Sequence, residues 1–360
     1  MNTETEISGR PFRQSLLNKL NVGIGKEVAV SRVLKALTLK RIVNAVKILS
    51  SFLLSAVMKK NIVWGVPPIL NIEPVNICNL KCPLCVTGSG QMKRPRGKME
   101  FDVFKSVVDE IADRIIYITL YSQGEPYLNP RFNEFVAYAK TKGVYVNTST
   151  NAHYFDEQTA EATVKSGIDS MIISLDGVTQ ESYEHYRRGG DLQTVLDGIR
   201  NLVAAKQKLN SKTPYLFVQF LVMKHNEHEI PAIKKLARDL RVDRLLIKTT
   251  QVMTYEEALE WLPENDKYRR YTVTEKDFKV KKGTGACPRP WLTTLVDWDG
   301  LVVPCCFDKN GDHALGNVNG KSFTEIWESK KYRGFRTRLL RNRDSIEMCR
   351  NCNFGIGIFK

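Results

Sequence analysis

The chain has 360 residues, of which 42% are hydrophobic and 26% charged, an ordinary globular composition that excludes disordered and fibrous classes. Eight cysteines are too sparse for a small secreted disulfide scaffold, and Glu4 and Glu6 stand where a signal peptide would start basic and apolar. A reducing, cytoplasmic setting is therefore expected, with the cysteines acting as metal ligands, catalytic groups or core residues.

The net charge of +15 is concentrated in two places. Residues 1–66 hold eleven Lys+Arg against three Glu, and residues 321–343 hold eight against two, which leaves about +1 for the rest. That distribution offers no broad basic face, and no nucleic-acid-binding motif is present, so no nucleic-acid partner is expected. Within the first segment, Lys40, Asn44, Lys47, Ser51 and Ser55 recur at helical steps. Opposite them lie Ile42, Val46, Leu49, Leu53 and Val57, widened by Ala45, Phe52 and Ala56. The pattern predicts an amphipathic helix. It is read either as lying on an anionic membrane surface, with peripheral contact through residues 30–66 at the inner face, or as packed on the rest of the protein.

From residue 69 onward, strand-like runs at 69–73, 115–121, 144–149, 171–175, 216–222 and 244–248 alternate with amphipathic stretches at 101–112, 131–142, 156–165, 192–208 and 229–239. Gly143 and Gly167 follow two of these stretches, where helix C-termini favour a residue that tolerates positive φ. Six βα repeats predict an α/β fold, a partial (β/α)6 TIM-like barrel over 67–250 whose chemistry collects at the carboxyl ends of the strands. Residues 1–66 form the helical extension. Residues 251–286 show no clear period and read as a linker, and 287–360 as a small β-hairpin and helix domain organised by a metal centre.

Immediately after the first predicted strand comes Cys78-x3-Cys82-x2-Cys85. Three thiolates on one loop suit three irons of a [4Fe-4S] cube and leave the fourth open to a small molecule. A zinc site would want a fourth ligand nearby, which Asn79 and Lys81 do not supply. In the C-terminal part Cys287-x12-Gly300-x4-Cys305 is followed by Cys349-x2-Cys352. The run 293–303, turning at Asp299-Gly300, would bring Cys287 and Cys305 together as a hairpin. Spacing alone leaves open whether four such thiolates hold a cubane or zinc.

These motifs resemble the radical S-adenosylmethionine (SAM) enzymes. The resemblance covers about residues 69–250, and the C-terminal spacing is similar to the shortened, twitch form of the SPASM extension. It implies a SAM-binding [4Fe-4S] cluster on Cys78, Cys82 and Cys85, and an auxiliary [4Fe-4S] cluster on Cys287, Cys305, Cys349 and Cys352. Cys306 is left over, or stands in for Cys305. Gln123, Gly124 and Glu125, followed by Pro126, resemble the stretch that binds the cofactor's amino group, which Glu125 could accept from. Asn151, Ser174 and Asp176 are similar to ribose and pocket positions, and Arg187 to an arginine that pairs with the cofactor carboxylate. Leu84 departs from the aromatic residue common before the third cysteine.

The resemblance implies reductive cleavage of S-adenosyl-L-methionine to a 5'-deoxyadenosyl radical, which then takes a hydrogen from substrate. The auxiliary cluster assists electron transfer, and a flavodoxin or ferredoxin supplies the electrons. By position alone, Glu73, Tyr121, Gln219, Lys248, Thr249 and Gln251 face the substrate. An oxidoreductase acting on a small polar or glycan-type substrate, free or lipid-linked, is the first reading. A maturase of a ribosomally made peptide or protein is the alternative, and a zinc-bound structural protein the non-enzymatic one. The basic run Lys330, Lys331, Arg333, Arg336, Arg338, Arg341 and Arg343 is either a solvated face or a contact for an acidic substrate.

Overall fold

A computed structural model describes residues 30–281, 285–350 and 352; residues 1–29 of the basic extension lie outside the described residues. The six predicted strands form as β1 (Ile69–Ile72), β2 (Tyr117–Leu120), β3 (Tyr145–Thr150), β4 (Ser170–Ser174), β5 (Tyr215–Val222) and β6 (Arg244–Thr249). Each pairs in parallel with the next. Crossover helices cover one face of the sheet, among them α2 (Phe101–Ile111), α3 (Phe132–Thr141), α4 (Glu157–Lys165), α6 (Leu192–Lys208) and α7 (Ile230–Asp239), with the shorter α5 (Gln180–Tyr186) after β4. Their apolar faces merge with the outward residues of the strands into one core, in which Phe104 and Phe135 stack at 4.6 Å. Gly143 and Gly167 both have positive φ at helix ends, as their positions predict.

Two parts differ from the sequence expectation. Residues 251–281 are not a structureless linker. They form α8 (Tyr255–Trp261) and the antiparallel pair β7 (Tyr271–Val273) and β8 (Phe278–Val280). Their buried Val252, Ala258, Trp261, Tyr271 and Phe278 pack with Leu80, Cys82 and Tyr186, so this segment is a flap over the first cysteine loop. Its order comes from long-range apolar contacts that a periodicity reading of short elements does not register.

The C-terminal segment is also no detached appendage. The predicted hairpin forms as β9 (Thr293–Val296), preceded by the single-turn α9 (Arg289–Leu292), and β10 (Leu301–Val303), with Gly300 at φ 82° in the turn. β9 pairs in parallel with β1, and β11 (Gly316–Asn317) follows β10, giving one sheet in the order β11-β10-β9-β1-β2-β3-β4-β5-β6. The helices α10 (Phe323–Trp327) and α11 (Lys330–Arg341) close against it. Here the basic run splits. Arg336 is fully buried, its guanidinium 3.8 Å from the Tyr332 ring and 4.1 Å from the Trp327 ring, and it donates to the Pro290 and Trp327 carbonyls. Arg343 donates to the Gly285 and Cys352 carbonyls. Both brace the fold and are unavailable to an acidic substrate.

The predicted N-terminal helix, α1 (Leu39–Met58), forms with its faces reversed relative to a solvated amphipathic helix. Buried beside Ile48, Phe52 and Ala56 are Arg41, Asn44, Ser51 and Ser55, while Ile42, Val46, Leu53 and Val57 are exposed. The inward polar groups are satisfied. Arg41 donates to the carbonyls of Ala36, Ala112, Lys142 and Gly143, three of them just past the ends of α2 and α3. Asn44 donates to the carbonyls of Val66 and Arg114 and accepts from the Val66 amide. Asn44→Ala strands these buried groups and is expected to lower stability by about 2 kcal/mol, read from the midpoint of a urea melt at unchanged slope.

Candidate functional site

The site is built on the loops that follow β1, β2, β3 and β4. Cys78, Cys82 and Cys85 lie on the first of these. Gly124, just past β2, presses against that loop's entry. A Cβ there would stand 2.5 Å from the Val75 carbonyl oxygen and 2.8 Å from that of Ile77, and its φ of 77° also calls for glycine. The Glu125 amide then donates to the Ile77 carbonyl at 2.8 Å, so the glycine-glutamate turn holds the cysteine loop in place.

The Glu125 carboxylate is buried and already accepts from Thr150 Oγ1 (2.7 Å), the Asn151 amide (2.8 Å) and the Tyr127 amide (3.3 Å). Burial nonetheless raises its pKa to about 7. In this arrangement it joins the ends of β2 and β3. Asn151 completes the link by donating to Asn79 Oδ1 at 2.8 Å, with Cys78 Sγ at 3.8 Å. Gln123 Oε1 lies 3.9 Å from Cys85 Sγ. Ser174 is buried at the end of β4. Asp176 is fully buried and bound to Arg187, whose Nε donates to it at 2.6 Å and whose Nη1 lies 3.8 Å from Cys82 Sγ. Asp176, expected at the ribose or pocket, and Arg187, expected at the cofactor carboxylate, are thus paired with each other beside the cysteine loop.

Burial pushes the Cys78 thiol up to about 12, and it raises Cys82 as well. Thiols in such a setting ionise only with a compensating cation, so the loop fits a bound cluster. The second group behaves alike. Cys287, Cys305, Cys349 and Cys352 are all buried, and burial raises the first three, Cys349 to about 12. Cys352, Cys349 and Cys305 each lie near enough to Cys287 to interact with it electrostatically. Cys306 points elsewhere: Arg289 Nη1 donates to its sulfur at 3.1 Å, and it lines a cavity. Among the described residues no three His, Cys, Asp or Glu side chains converge as tightly as a single metal ion requires.

That cavity, of about 260 Å³, lies on the inner face of the sheet. Tyr121 and Ser122, which lead into the Gln123–Glu125 turn, form part of its wall, and Arg289, Cys306 and Phe307, which adjoin the second cysteine group, form another. Gln251 also lines it, whereas Gln219 and Lys248 do not. Glu73 must be corrected as a substrate-facing residue. It is fully buried and receives both arms of Arg94 at 2.9 Å each, together with the Gln123 amide. Thr249 is engaged by Arg270, its Oγ1 accepting at 3.1 Å. Sequence reading missed Asn71, Thr119, Asn147 and Arg289 on the cavity wall. The first three carry a usable signal, since they are polar residues at inward positions of central parallel strands, where apolar residues are the rule.

The sequence matches the radical SAM superfamily over residues 72–237 and the SPASM iron-sulfur cluster-binding domain over residues 287–353. It is 32% identical over 313 residues to the mycofactocin maturase MftC of Mycobacterium tuberculosis, covering 79% of this chain and 75% of the relative. The chain belongs to the radical SAM superfamily. With the PqqA peptide cyclase of Gluconobacter oxydans it shares 27% identity over 310 residues, 79% of this chain and 83% of the cyclase. In fold it is similar to Streptococcus suis SuiB bound to its precursor peptide SuiA, with a TM-score of 0.60, 15% identity and coverage of 87% and 76% of the two chains. As a radical SAM protein with a SPASM domain it takes S-adenosyl-L-methionine, a [4Fe-4S] cluster that binds it and an auxiliary cluster.

Proposed function

We propose that the protein is a radical SAM maturase that modifies a side chain of a peptide or protein substrate held in the cavity. The observation that carries this is the cavity's position, walled by the approach to the Gln123–Glu125 turn on one side and by the neighbours of the second cysteine group on the other. At about 260 Å³ it is sized for one large side chain or a small molecule, below the usual range for drug-sized ligands. The kinship to a maturase and a peptide cyclase, over 79% of this chain in each case, supports the peptide reading, and reverses the order in which sequence alone ranks the substrates.

Cys78, Cys82 and Cys85 would hold the cluster that binds the cofactor. Cys287, Cys305, Cys349 and Cys352 would hold the auxiliary one, since Cys306 is turned to the cavity. When bound, these groups supply a 5'-deoxyadenosyl radical and a one-electron partner for the substrate. The protein's own residues do the rest. The flap over the cysteine loop excludes water, and Asp176, joined to Arg187, fixes that guanidinium beside Cys82. Tyr121, Gln251 and Asn71 offer hydrogen bonds that orient a polar group in the cavity. A flavodoxin or ferredoxin as reductant, and a cytoplasmic location, belong to the same proposal.

The test uses anaerobically reconstituted protein with cofactor, a strong reductant and candidate peptides. Deuterium passing from a labelled peptide side chain into 5'-deoxyadenosine, with a matching change in peptide mass, is the expected result. Transfer from a free sugar or nucleotide sugar alone would overturn the peptide reading. Tyr121→Phe should lower kcat/KM for the true substrate about tenfold, the cost of one buried hydrogen bond, while substrate-free 5'-deoxyadenosine release stays unchanged.

A further inference from the structure

The outward face of α1 is a continuous apolar stripe. Leu39 (78% exposed), Ile42, Val46 (58%), Leu53 and Val57 (58%) recur at helical steps of three, four and seven, with Val43 and Leu54 widening the row and Trp64 exposed just beyond the helix. This orientation is fixed by specific bonds, because the opposite face carries Arg41 and Asn44, whose side chains bind carbonyls of three other segments. A helix that buries its polar residues with full hydrogen bonding and leaves its apolar ones uncovered has an interaction surface on its outer side.

Charge selects the occupant. Residues 30–66 contain seven Lys and Arg and no Asp or Glu, and Lys35, Lys40, Lys47, Lys59 and Lys60 are exposed around the stripe. A second copy of this chain would set those cations against each other. An anionic bilayer matches them, taking the apolar side chains into the headgroup and acyl boundary with lysines at the phosphates and Trp64 at the interface. By length and composition alone α1 could cross a membrane, but 39% of its most apolar 18-residue stretch is buried against the protein, so it would lie in the membrane plane. We propose that α1 docks this protein on an anionic lipid surface. This goes beyond the catalytic reading and does not depend on it.

Flotation of the full chain with vesicles of phosphatidylcholine, alone or with about one-third phosphatidylserine, tests the proposal. Recovery with the acidic vesicles that falls as salt is raised is expected, and at least about tenfold weaker binding for Val46→Glu/Leu53→Glu. Both positions are exposed, so iron-sulfur absorbance and substrate-free cofactor cleavage should be unchanged and report that the variant is folded. No flotation at low salt, equal binding to neutral vesicles, or undiminished binding by the folded variant would each overturn it. So would a stable dimer in sedimentation that the variant dissociates, without vesicle binding.

Discussion

Replacing Cys82 with alanine is expected to abolish reductive cleavage of S-adenosylmethionine, whereas replacing Cys349 should leave cleavage running without product. The two effects differ because the two cysteine groups adjoin different walls of the cavity. Cys82 lies beside Arg187 and under the flap, next to the turn through Gln123, Gly124 and Glu125. Its loss should exceed the roughly 100-fold that removal of a mere supporting contact costs. Cys349 belongs to the group around Cys287, and Arg289, on the cavity wall, neighbours Cys287, Cys305 and Cys352. Cys349→Ala should therefore still release 5'-deoxyadenosine, uncoupled from peptide modification, and should contain fewer irons per chain. Cys306→Ala is the informative contrast: full iron content with an altered KM is expected, since its sulfur faces the cavity. Iron loss in that variant equal to that of Cys305→Ala would reassign the fourth ligand.

The barrel was legible because its strands and crossover helices carry strong periodic patterns, from the 69–73 run to the 244–248 run. The cysteine spacing marked the loops that carry the chemistry. What escaped reading depended on long-range satisfaction of polar groups. Asn44, Ser51 and Ser55 look like a solvated stripe, yet carbonyls outside the helix for Asn44 and Ser55, and that of Ile48 within it for Ser51, satisfy them in the interior. Arg336 looks like one of seven exposed cations, yet Trp327 and Tyr332 stack on it. Glu73 sits at a strand end, where substrate-facing residues are expected, but its partner Arg94 arrives from twenty-one residues downstream, on a stretch with no periodic signal. In each case the identity of the residue was informative, and the direction of its side chain was decided by atoms distant in sequence.

The Arg94 network yields the largest expected change in stability. Arg94 donates to both Glu73 oxygens at 2.9 Å, lies 3.2 Å from Asp297 Oδ2, and donates through Nε to the Lys309 carbonyl. It thereby joins the ends of β1 and β9, and through the Gln123 and Trp298 amides on Glu73 it extends to the end of β2 and the hairpin. Arg94→Met leaves two buried carboxyl groups without their cation and should cost about 3–5 kcal/mol in denaturant melts at equal iron loading. Burial raises the pKa of Asp297, the nearby Glu73 charge raises it further, and Arg94 only partly offsets them. The folded state thus keeps a proton on Asp297 that the unfolded chain gives up near pH 4. This contribution is complete below the unfolded value and is lost as pH rises toward the folded one, at up to about 1.4 kcal/mol per pH unit. Asp297→Asn cannot titrate, so its stability should fall less between neutral and mildly alkaline pH than that of the native protein. An equal decline in both would show that Asp297 is ionised in the folded state and fully paired with Arg94. Combined with Arg94→Met, Asp297→Asn should leave most of that loss in place at neutral pH, because the buried group that loses its cation is Glu73, while Asp297 already holds a proton.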